Sequence, residues 1–77
     1  MAIIRSLSRG SSDVSRHRTT VDATFQVVTD GTGTLFHLST YGSDDRASQP
    51  KVSQTIQLDR DGAELLITAL REAFPGL

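Results

Sequence analysis

Lys51 to Phe74 reads KVSQTIQLDRDGAELLITALREAF, and this stretch joins an alternating strand to an amphipathic helix through a capping turn. Val52, Gln54, Ile56 and Leu58 take one face of the strand, and Ser53, Thr55 and Gln57 take the other. A period of two is the mark of a strand with one buried side. Asp59 or Asp61 then caps free backbone amides at a helix start. Asp61 with Glu64 three residues on is a variant of the capping box, and two carboxylates in the first turn suit the positive end of the helix dipole. Gly62 in the first turn costs roughly 1 kcal/mol relative to Ala, which predicts a frayed start. Arg71 lies near the far end, and Pro75-Gly76 stops the helix.

At about 100° per residue, Ala63, Leu65, Leu66, Ile67, Ala69, Leu70, Ala73 and Phe74 fall on one arc roughly 200° wide. An ordinary surface helix shows an apolar stripe of about 100°. One flat sheet cannot cover so wide an arc. Either the sheet curls around the helix, or a second copy covers the Leu65/Ala69 edge. The expectation is a homodimer with Leu65, Leu66, Ala69 and Ala73 at the interface.

Upstream, Arg18 to Thr29 alternates Val21, Ala23, Phe25 and Val27 with Asp22, Thr24 and Gln26. Asp30-Gly31-Thr32-Gly33 is a turn signal in which both glycines tolerate positive φ. Leu35 to Tyr41 is a further strand, with Phe36, Leu38 and Thr40 on one face and Leu35, His37, Ser39 and Tyr41 on the other. The two strands form an antiparallel hairpin, and the polar loop GSDDRASQP leads to Val52. Ile3, Ile4 and Leu7 start a short extra strand or pack as a staple.

The fold class that follows is α+β. A small antiparallel sheet of three or four strands precedes one C-terminal amphipathic helix packed on one face. Residues 1–17 read as a basic, flexible N-terminal arm and 18–77 as a single β-β-β-α domain. The sheet face away from the helix shows Asp22, Thr24, Gln26, His37, Ser39, Tyr41, Ser53, Thr55 and Gln57. Such hydroxyls and amides can hydrogen-bond phosphates, sugars or base edges, although a solvated sheet face carries the same residue types.

A chain of 77 residues holds one domain with a modest core. It has no cysteine, so disulfides and thiolate metal sites are excluded, and a reducing cytoplasm is the expected location. No apolar run approaches the ~20 residues of a bilayer span, and Met-Ala-Ile-Ile-Arg lacks a signal peptide's apolar core. No membrane partner is expected. Arg5, Arg9, Arg16 and Arg18 against Asp13 alone leave residues 1–18 at +3, so a net charge of −1 puts the rest at −4. A basic arm on a mildly acidic body can neutralise phosphates.

Enzymatic chemistry finds little support. Asp44-Asp45 is the only adjacent carboxylate pair, and no third metal ligand is placed by spacing. Ser39, His37 and Asp22 can be grouped on neighbouring strands. Yet alternate residues on a strand lie about 7 Å apart, beyond the reach of a nucleophile–base pair. Gly31 and Gly33 lack a phosphate-loop pattern, and the helix is not basic enough for DNA recognition. No catalytic residue, metal or cofactor is expected.

The layout resembles the transcriptional coactivator family called positive cofactor four, and the related Whirly proteins. The likeness runs from about Leu35 to Phe74. It rests on a strand ending in an aromatic (LFHLSTY), a polar loop with acid then Pro-Lys (GSDDRASQPK), a strand (VSQTIQL) and the capped helix. It implies a curved antiparallel sheet, dimerisation through the helix and a grip on single-stranded nucleic acid by the sheet and its loops. Tyr41, Arg46 and Lys51 would sit at strand-end and loop contacts. Asp44 and Asp45 depart from it, as does the scarcity of aromatics, of which Tyr41 is expected to be the exposed one. The TYGSDDR and KVSQTIQ segments also resemble short bacterial and mobile-element proteins.

The sequence therefore points to a small non-catalytic module contacting single-stranded nucleic acid through Arg16, Arg18, Tyr41, Arg46, Lys51 and Gln57. The alternative is a small regulator or inhibitor that docks on a partner protein through its sheet edge or helix.

Overall fold

The computed structural model describes residues 1–42 and 51–77. Asp44, Asp45 and Arg46 lie outside them. Strands β1 (Ala2–Ile3), β2 (Ala23–Asp30), β3 (Gly33–Tyr41) and β4 (Val52–Leu58) are followed by helix α1 (Arg60–Ala73). The strands form one sheet in the order β1-β4-β3-β2. β2, β3 and β4 pair antiparallel, and β1 adds a parallel edge through Ala2↔Ile56 and Ile3↔Gln57. The layout is α+β, a mostly antiparallel four-stranded sheet with a C-terminal helix.

The hairpin closes on two residues, Gly31 and Thr32, with Asp30 opposite Gly33. Asp30 Oδ1 accepts from the backbone amides of Thr32 (2.9 Å) and Gly33 (3.2 Å). Only one of the two glycines uses the conformational freedom expected of both. Gly33 has φ +149°, while Gly31 does not take positive φ, because the Asp30 carboxylate already holds the turn.

The pairing of Phe25 with Leu38, Val27 with Phe36, Leu38 with Ile56 and Phe36 with Leu58 gathers the apolar residues on one face. Helix α1 leaves β4 at Asp59 and touches β3 and β4 on that face. Asp59, not Asp61, is the N-cap, and its Oδ1 accepts from Gly62 N at 2.9 Å. Asp61 sits inside the first turn, and Glu64 pairs with Arg60 (3.3 Å) rather than closing a capping box. The start is closed rather than frayed, because Gly62 is buried against Leu58. At the far end Phe74 N donates to Leu70 O, and Gly76 takes φ +95° beyond it.

Leu58, 4% exposed, is the one buried apolar residue among the described residues. The accessible surface of 7145 Å² compares with about 4,600 Å² for a compact monomer of 8.3 kDa, an excess of roughly 2,500 Å². The radius of gyration of 14.8 Å likewise exceeds the ~11.5 Å of a compact chain this long. The sheet and helix of one chain bury little apolar side-chain surface among the described residues.

Candidate nucleic-acid interface

The polar face forms as its alternation requires. Thr24 lies opposite Ser39, Gln26 opposite His37, Ser39 opposite Thr55, and His37 opposite Gln57. His37 stands at the centre. Its Nδ1 lies 2.9 Å from Gln57 Nε2 and its Nε2 lies 2.9 Å from Ser39 Oγ. The expectation that His37 and Ser39 are out of reach of each other is corrected here. Their Cα atoms are two residues apart, but the imidazole is long enough to lean along the strand.

The partners decide the chemistry of this chain. An amide nitrogen can only donate, so Gln57 donates to Nδ1, which places the imidazole proton on Nε2 facing Ser39. In that tautomer His37 donates to the serine hydroxyl. Ser39 is 5% exposed, so its oxygen is satisfied and shielded. The arrangement fixes the polar surface.

Tyr41 caps the row. Its hydroxyl lies 3.1 Å from Thr24 Oγ1, and its amide donates to Asp22 O at 3.0 Å. Tyr41 is half-buried, whereas Phe25, 67% exposed, and Phe74 are the open aromatics. This reverses the expectation, because the helix leaves the apolar face largely uncovered. Phe25 stacks on Phe36 with ring centroids 5.4 Å apart. Ser53 leaves the polar face. A bulge at Thr40/Tyr41 turns it to Thr40, with 3.0 Å between the two hydroxyl oxygens.

One exposed cation, Lys51, stands at the Tyr41 end. Gly42 N donates to Lys51 O, which sets Lys51 beside the end of β3. Arg16 and Arg18 precede Asp22 in the irregular segment before β2, without a hydrogen bond to the sheet among the described residues; they and Lys51 are exposed. Gln57 lies further along, at the His37 bond, so Tyr41, Lys51 and Gln57 are the expected site residues that the sheet brings to one face or its end. Arg9 is drawn away. It pairs with Glu72 at 2.7 Å, and Leu7, Ser8 and Arg9 lie along Leu65, Leu66, Ala69 and Ala73. The segment read as an arm thus begins in the sheet and crosses the helix.

Of the four helix positions expected at a dimer interface, Leu66 is half-buried, while Leu65, Ala69 and Ala73 are exposed. Sequence reasoning did not single out the outer strand β2 as a surface, although its unbroken run ATFQVVTD without Pro, Lys or Arg is the signal for it. Among the described residues no three His, Asp or Glu side chains group as a metal site. None of their helices is long and apolar enough to cross a membrane. Compared with protein families, curated proteins and solved structures, the chain matches none.

Proposed function

We propose that this chain is a small binding module that assembles as a homodimer and contacts single-stranded nucleic acid through its polar sheet face. The observation that carries the reading is the bonded row Gln57–His37–Ser39 with Thr24–Tyr41, with exposed Lys51 at its Tyr41 end; Arg16 and Arg18 add exposed positive charge in the segment that leads into β2. The cations neutralise phosphates, the Tyr41 ring offers a stacking surface, and Gln26, Thr55 and Gln57 offer hydrogen bonds. The resemblance to the positive cofactor four and Whirly layout supports the same reading.

The test is binding of a labelled single-stranded oligonucleotide across a salt series. Phosphate-driven binding weakens steeply between low and physiological salt. No retention at low salt removes the nucleic-acid reading.

A second reading has its own observation. Leu65, Ile67 and Leu70 of α1 stay exposed, which suits a protein-interaction module docking a partner on the helix. Leu65→Glu would then abolish partner capture and leave oligonucleotide binding unchanged.

A further inference from the structure

The two edges of the sheet are unequal. β1 is two residues long, so it offers little to pair with. β2 is eight residues long and exposed along nearly all of its length. Proteins blunt such edges with lysine, proline, bulges or a covering element. β2 carries no Lys, Arg or Pro, and the sheet's bulge lies between β3 and β4.

Hydrogen-bond parity fixes which backbone groups of β2 face outward. Asp22 O accepts from Tyr41 N, and Asp30 and Gly33 flank the two-residue turn, so the even-numbered residues bond to β3. The amides and carbonyls of Ala23, Phe25, Val27 and Thr29 therefore point away from the sheet. Their side chains stand on the apolar face with Phe36 and Leu38.

We infer that β2 pairs antiparallel with β2 of a second copy of this chain, about a two-fold axis at Gln26. The inference rests on the homodimer reading and gives that dimer its interface. In this register Phe25 of one copy lies opposite Val27 of the other, and Ala23 opposite Thr29. All are outward-bonding positions, and the apolar faces run on across the axis. On the polar face Gln26 meets Gln26, and Thr24 meets Val28. Asp22 and Asp30 oppose each other only at the strand ends, where the Asp30 carboxylate is turned onto the Thr32 and Gly33 amides. The pairing is isologous and closes at two copies.

The chain has no cysteine, so single cysteines report on it cleanly. At the axis Gln26 forms a non-hydrogen-bonded pair with Cα atoms about 4.5 Å apart, inside the disulfide range. Mild oxidation of full-length Gln26→Cys is expected to give a covalent dimer at the sedimentation mass of the unmodified protein, and Ala69→Cys is expected to give none. Val27→Lys should be monomeric yet folded by circular dichroism, and mixing it with Phe25→Glu should restore a dimer. A wild-type chain that sediments as a monomer overturns the inference, as does cross-linking through Ala69→Cys and not Gln26→Cys. Oligonucleotide binding is read separately. Salt-sensitive binding by a chain that does not cross-link at Gln26 sinks the edge pairing alone, and cross-linking without such binding sinks only the nucleic-acid reading.

Discussion

Gly62 stands directly against Leu58: a Cβ placed on it would lie 3.3 Å from Leu58 Cδ2 and 3.4 Å from Asp59 Oδ1. The glycine that weakens the helix by propensity is thus the residue that lets the helix close onto the most buried apolar side chain. Gly62→Val is expected to destabilise by about 1–3 kcal/mol, because a branched side chain must displace both Leu58 and the cap. Gly62→Ala sets a propensity gain of about 1 kcal/mol against a shift of one flexible leucine methyl. It should stay within about 1 kcal/mol of wild type. Urea unfolding at one fixed protein concentration checks both, since a dimer's stability depends on concentration. A Val variant as stable as wild type would show that the helix start is looser than its geometry.

Asp59 is the companion case. Its carboxylate satisfies the Gly62 amide at 2.9 Å, one of the donors that a helix start leaves free. Asp59→Ala should cost about 1 kcal/mol, and Asp59→Asn, which keeps an acceptor oxygen, only a few tenths. Asp61→Ala should cost less than Asp59→Ala, since Asp61 lies inside the first turn and is not the cap. The reverse ranking by denaturant midpoints would contradict the assigned cap.

Much of this arrangement was legible in the sequence, and the reasons differ by element. β4 runs from Val52 to Leu58 as predicted, and the period of two holds from Gln54 to Leu58, where it ends at an acidic cap. The β2–β3 hairpin also follows, from two alternating runs joined by the turn signal Asp30-Gly31-Thr32-Gly33. β1 was less legible, since two residues carry no period and their pairing with β4 is a tertiary choice. The Ser53 bulge is invisible to alternation because it breaks it. The His37–Ser39 bond escaped a rule based on Cα spacing, since side-chain length decides it. The Arg9–Glu72 pair spans nearly the whole chain, and nothing local foretells it.

The His37–Ser39 bond can be weighed by a double-mutant cycle. His37→Leu leaves the Ser39 hydroxyl, 5% exposed, without its partner. That loss should cost about 1–3 kcal/mol. Ser39→Ala alone should cost less, and the double variant should recover part of the His37→Leu loss. Folding free energies that simply add would show that the two side chains are not coupled.

The cations of the proposed interface need a gentler test than truncation. Removing residues 1–18 would delete β1 and the Leu7–Arg9 crossing of α1 along with the charges. Replacing Arg16, Arg18 and Lys51 with Ala keeps both, since all three side chains are exposed. If each neutralises one phosphate, the slope of log K against log salt for a single strand should fall by about 0.7 per cation, or about 2 for the triple variant. Affinity should drop most at low salt, where the electrostatic contribution is largest. Arg9→Ala is the internal control. Its guanidinium is engaged with Glu72, an exposed pair worth only about 0–1 kcal/mol, so its loss should leave the slope nearly unchanged. An unaltered slope in the triple variant would make these cations bystanders and move the contact elsewhere on the sheet.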